Sequence, residues 1–246
     1  QFVHIALGTG GGLTCTRCAP ARDAGYLPAA EVIERIRIVA EGWADGPGPN
    51  IVLGGPEPFA HPELPALVAA CVEEGVQRIA LETDGGALSV PANAGGVIRA
   101  GVRHLRVRLL DADEVRGDEL SGLAGRVRDA LAGVDTCRAA AEEIGARVLV
   151  TALVPVCEHN LDALPATVLS LASHGLDAAR LVPGSQLPAS AAAIIAAACD
   201  TGMVNHLWVE VDPALPLPPT HALHTVAEAV CRGLAAPSRP PRHQRA

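Results

Sequence analysis

The chain has 246 residues, 49% hydrophobic and only 2% aromatic, with a net charge of −8. That is enough apolar material for a sizeable core, but no run of about 18 apolar residues exists to span a membrane. An acidic chain also argues against nucleic-acid binding through a basic surface.

Short β-branched runs alternate with longer helical ones along the chain. Phe2–Leu7 reads as a first strand. Pro28–Trp43 follows with Val32, Ile33, Ile36 and Val39 on one helical face. Asn50–Leu53 is a second strand and Pro62–Glu74 its helix, with proline early and Gly75 just past the end. Arg78–Glu82, His104–Leu110, Arg147–Pro155 and Ala178–Pro183 read as strands three to six, and His206–Val211 as a seventh. Helices are predicted over Pro91–Ala100, Leu123–Ile144, Leu161–His174, Ala189–Ala198 and Thr220–Leu234.

This alternation predicts βαβ units on a parallel sheet. The α/β fold expected is a partial (β/α)6 TIM-like barrel over residues 1–212, with a doubly wound sheet as the rival. Residues 213–246 form a Pro/Arg-rich C-terminal segment, predicted to hold one helix and to be partly disordered. A chain beginning at Gln1, already in a strand, is expected to lack its native start. In either fold, function sits at the C-terminal ends of the strands.

Those ends carry the informative residues. After strand one comes a glycine-rich loop, Gly8 to Gly12, then Cys15 and Cys18 in a Cys-x2-Cys spacing. After strand two come Gly54, Gly55, Pro56, Glu57 and Pro58, then His61 to Leu64. Strand three ends in Thr83, Asp84 and Gly85, strand four in Asp111, and strand six carries Arg180. The glycine loop is not a P-loop, because the chain has no lysine. Cys-x2-Cys is also a zinc half-site or a redox pair. The other five cysteines (Cys71, Cys137, Cys157, Cys199 and Cys231) lie in apolar surroundings and read as small buried hydrophobes. An odd number of scattered cysteines favours a reducing, cytoplasmic setting.

In order and spacing, these motifs resemble the core of the radical S-adenosylmethionine (radical SAM) enzymes, in the branch that modifies peptides and cofactors. The resemblance rests on Cys15 and Cys18 after strand one, Gly55-Pro-Glu57-Pro58 after strand two, Thr83-Asp84-Gly85 after strand three, Leu109-Leu110-Asp111 with Arg116-Gly117 after strand four, and His159-Asn160-Leu161 after strand five. It implies a [4Fe–4S] cluster held by Cys15 and Cys18, and SAM contacts from Gly54, Gly55, Glu57, Thr83, Asp84, Asp111 and Arg180. It implies radical modification of a peptide or small-molecule substrate, with a protein partner possible and neither nucleic acid nor membrane involved.

The departures fall on the same footprint. The family's Cys-x3-Cys-x2-Cys would place its first cysteine at position 11, which is Gly11. Pro56 stands where the second motif has its second glycine, and Leu109 where a serine is usual. A third cluster ligand would then have to come from outside the motif, and the sequence does not name it. The alternative is a family member without a cluster, acting as a binding or scaffold protein; a third possibility is that Gly11 was engineered. The bland readings of the site residues also stand. Glu57, Thr83, Asp84 and Asp111 suit turns, and Arg180 could clamp a ligand carboxylate or pair with an acid.

Overall fold

The computed structural model describes residues 2–10, 15–18, 25–43, 46–185 and 187–217. Gly11, the predicted Thr220–Leu234 helix, Cys231 and the arginine-rich tail lie outside them. The elements in chain order are β1 (Phe2–Ala6), the short pair β2 (Gly8–Thr9) and β3 (Gly25–Tyr26), α1 (Ala29–Glu41), β4 (Asn50–Gly54), α2 (Leu64–Glu73), β5 (Arg78–Thr83), α3 (Pro91–Ala100), β6 (Val102–Arg108), α4 (Glu114–Ser121), α5 (Arg126–Ile144), β7 (Leu149–Val156), α6 (Leu164–Ser173), β8 (Ala178–Pro183), α7 (Ala191–Val204) and β9 (Trp208–Val211). Seven strands pair in the order β1-β4-β5-β6-β7-β8-β9. Every neighbouring pair in that sheet is parallel. This is the predicted partial barrel, with seven strands in sequential order.

Differences from the sequence reading fall in the helices. Residues 114–121 form a helix that was not predicted. Asp113 caps it by accepting the Arg116 N–H at 2.9 Å, and Gly122 ends it in the left-handed region. Gly125, also left-handed, then precedes α5. Only glycine takes that conformation without strain, so the predicted Leu123–Ile144 helix starts later, at Arg126. The helix predicted to end at Ala198 runs on to Val204.

Side chains alternate across each strand. Ile51, Leu53, Ile79, Leu81, Leu105, Val107, Val150, Ala152, Val154, Ala179 and Leu181 pack beneath the helices. The opposite face carries Phe2, His4, Glu82, Arg106, Arg108, Arg180 and Glu210. The sheet curls around this second set. Phe2 is three strands away from β6, about 14 Å in a flat sheet. Yet its ring lies 4.7 Å from the Arg106 guanidinium and 5.6 Å from the His104 ring. These three residues meet inside the curl of the half-barrel.

His104 is buried and pairs with the Thr151 hydroxyl at 2.9 Å. Burial, with Arg106 and Arg78 nearby, pushes its pKa down to about 4. The imidazole is therefore neutral in the folded chain at pH values where an unfolded histidine, with a pKa of about 6.5, takes up a proton. Its contribution to stability is full above about pH 6.5 and is lost as pH falls through that value towards about 4. Denaturation in urea is expected to find the chain destabilised by about 2 kcal/mol through this group between about pH 7 and pH 5. His104→Gln is expected to show a visibly shallower loss over the same interval.

Candidate functional site

Parallel strands bring their C-terminal ends to one rim, so residues far apart in sequence meet there. At the end of β4, Gly54 has no room for a side chain: a Cβ would sit 2.8 Å from the His4 imidazole and 3.0 Å from the Glu82 Cβ. Gly55 has φ +97. The chain then turns through Pro56, and the Glu57 carboxylate accepts from the Thr83 hydroxyl at 2.6 Å and the Asp84 N–H at 2.6 Å. Glu57 also caps its own turn through Phe59 N–H. Burial raises its pKa, opposed by these hydrogen bonds and by the charges of Arg108 and Arg126. Thr83 is fully buried. The structure thus joins three predicted site residues, Glu57, Thr83 and Asp84, into one hydrogen-bonded unit.

Two arginines that the sequence reading missed complete this unit. Arg108, on the concave face at the end of β6, has a side chain only 5% exposed. It reaches Glu82 at 3.1 Å, Asp84 at 3.2 Å and the Gly55 carbonyl at 2.8 Å. Arg126, the first residue of α5, lies 3.2 Å from Asp84, and its buried Nε has no hydrogen-bond partner among the described residues. The signal for Arg108 was present in the sequence, since His104, Arg106 and Arg108 alternate with apolar residues along β6.

Two other predicted residues have different neighbours. Asp111 is fully buried and accepts from Arg116 through both oxygens, from Thr167 at 3.0 Å and from Asp113 N–H at 2.9 Å. It ties the start of α4 to α6 beside a cavity of about 410 Å³ that Arg116 and Thr167 also line. Arg180 pairs across the sheet with Glu210 at 3.2 Å and with Asp212 at 3.5 Å. Neither makes a contact within the Glu57 unit.

The thiols converge at the same end of the sheet. Cys15 and Cys18 form a tight turn, with Cys18 N–H on the Cys15 carbonyl at 3.0 Å. Thr16 docks this turn on α4 through the Leu120 carbonyl, at 2.8 Å from its N–H and 3.2 Å from its hydroxyl. Cys157, just past β7, joins them: the three sulfurs lie within 4.8 Å of one another. Cys71, Cys137 and Cys199 are buried in the core as predicted. Cys157 departs from that reading: it is equally buried but faces the cysteine turn. Burial and the neighbouring thiols push the Cys18 pKa up to about 12, opposed by Ser185. Burial also raises Cys157, opposed chiefly by the backbone N–H groups of His159 and Asn160 and by Cys18. Such thiols stay protonated until a metal displaces the proton. Three clustered sulfurs, two buried and one half-buried, form a donor set suited to an iron–sulfur cluster.

A parallel half-barrel with three thiols gathered at its rim places the chain among the α/β partial-barrel proteins. The model of the Radical SAM superfamily matches residues 5–168, and the chain belongs to that superfamily. Among solved structures it is similar to SuiB of Streptococcus suis (TM-score 0.61, 13% identity, covering 86% of this chain and 48% of that one). It is also similar to the methylornithine synthase PylB (TM-score 0.57, 11% identity, 97% and 83%) and to anSMEcpe (TM-score 0.61, 12% identity, 85% and 62%). At these identities the likeness shows the fold. The chain spans about half the length of SuiB. Among the described residues, no helix is long and apolar enough to cross a membrane.

The two arginine networks differ in burial, and their removal should differ in cost. Arg108→Met leaves Glu82 and Asp84 without their shared cation in a largely buried place, a loss of about 3 kcal/mol. Arg180→Met breaks pairs whose partner Glu210 is 53% exposed, and is expected to cost less than about 1 kcal/mol. Urea denaturation of both variants checks the contrast; equal losses would contradict it.

Proposed function

We propose that this chain binds a [4Fe–4S] cluster and SAM at the C-terminal rim of its half-barrel and carries out a radical modification of a substrate held on the concave face. The single observation that carries the reading is the convergence of Cys15 and Cys18 with a third buried thiol at the strand ends. Three thiols gathered at the strand ends are what a cluster needs and what a scaffold does not, so the scaffold reading is not favoured.

When bound, the cluster supplies the electron for reductive cleavage of SAM. The chain's own residues do the rest of the work. Cys15 and Cys18 provide thiolates from a turn anchored on α4. Gly54 and Gly55 keep the end of β4 narrow, which lets a ligand approach the backbone. Glu57 and Thr83 brace the rim, each already bonded to the other. Asp84 is 20% exposed between Arg108 and Arg126 and can accept from an amine or hydroxyl of SAM. Arg126 has a spare donor for a carboxylate.

Two solved structures support a peptide as substrate: SuiB bound to its precursor peptide SuiA, and anSMEcpe bound to AdoMet and the Cp18Cys peptide. SuiB has also been solved bound to S-adenosylmethionine.

The test is reconstitution of the chain with iron and sulfide without oxygen, followed by addition of SAM and a strong reductant. About four irons per chain and release of 5′-deoxyadenosine and methionine are expected. Asp84→Ala should weaken SAM binding about tenfold, the loss of one charge-assisted hydrogen bond, with iron content unchanged. A folded chain that takes up no iron, or that takes up iron and leaves SAM intact, would overturn the proposal.

A further inference from the structure

We infer that Cys157 is the third thiolate ligand of the cluster, supplied from the end of β7 in place of the cysteine that the family motif has at position 11. The inference rests on the cluster reading above and names the ligand that reading lacks.

Three observations carry it. The Cys157 sulfur lies within 4.8 Å of both motif cysteines, and these are the only three described residues of their kind so grouped. Cys71, Cys137 and Cys199 are enclosed between sheet and helices and cannot take part without unfolding. The turn that carries Cys157 is also rigid. Asn160 is 1% exposed. Its side-chain oxygen accepts from Cys157 N–H at 2.8 Å, and its side-chain nitrogen donates to the carbonyls of Leu110 at 2.7 Å and Pro155 at 2.8 Å. The ends of β6 and β7 are thereby locked together with the sulfur aimed at the Cys15–Cys18 turn.

The chemistry balances. Three thiols lose three protons to solvent and bind three irons as thiolates. Asn160 is a positioning residue, acting through Cys157.

The experiment uses the full chain, reconstituted with iron and sulfide without oxygen, and reads iron and sulfide per chain and the electron paramagnetic resonance signal of the reduced protein. Wild type is compared with Cys157→Ala, Cys137→Ala as the buried-cysteine control, Asn160→Ala, and the double variant Gly11→Cys with Cys157→Ala. Far-ultraviolet circular dichroism of the apo-proteins checks that each is folded. Iron is expected to fall at least about tenfold in Cys157→Ala, to fall less in Asn160→Ala with a shifted signal, and to be unchanged in Cys137→Ala. Restoring a cysteine at position 11 is expected to bring the iron back in the double variant. If Cys157→Ala keeps its full iron and an unaltered signal, the inference fails and the cluster reading stands. If the folded double variant stays without iron, the claim that Cys157 stands in for position 11 fails. If Cys157→Ala does not fold, Cys157→Ser replaces it, and an unaltered signal there overturns the inference. If wild type takes up no iron, or a single zinc ion instead, both readings fail.

Discussion

The guanidinium of Arg108 holds the working end of this molecule in shape. Three parallel strands, β4, β5 and β6, would otherwise end in separate loops. One buried cation touches a backbone carbonyl on the first and two carboxylates on the second, while its own backbone belongs to the third. A fork of fixed donors suits this task better than a lysine would, because its bonds run in one plane and in several directions at once. The Glu57 carboxylate extends the same network from the loop after β4 to Thr83 and Asp84. Any ligand at the rim therefore meets a surface whose polar groups are already oriented.

Polar groups dominate the concave face for a related reason. The convex face is sealed by aliphatic packing against helices, so apolar residues are spent there. Within the curl, charges neutralise one another: Arg108 with Glu82, and Arg180 with Glu210. Arg106 instead lies over the Phe2 ring, an arrangement in which the ring's electrons take the place of an acid. The candidate functional groups collect at the end where the strands finish.

Much of this was legible in the chain. β-branched runs separated by helices with glycine stops gave the parallel order, and glycines and acids clustered after strands two and three marked the rim. The eight residues of α4 were not legible: with Gly117 inside them, they lack a clear apolar stripe. That glycine is needed where α4 crosses Val127 and the Asp111 carbonyl, a tertiary reason that no periodicity reports. Cys157 was hidden differently. It follows Leu153-Val-Pro-Val156, so its neighbours in sequence suggest a core thiol, and its true neighbours come from a turn more than half the chain away. Burial was read correctly from composition; company was not. Asp111 and Arg180, both expected to meet a ligand, are bonded within the fold to Arg116 and Thr167 and to Glu210, partners that the sequence does not reveal.

The distance in sequence between Cys157 and the turn at Cys15 and Cys18 has a consequence for biogenesis. A motif with all its thiols in one short loop can capture metal while the rest of the chain is still being made. Here the sulfurs have no common meeting point until β4, β5, β6 and β7 have been laid side by side. The thiol site is therefore a late product of folding, and a cofactor seated there would act as a clasp between the first and fifth strands of the sheet, reporting that the half-barrel has been completed in register.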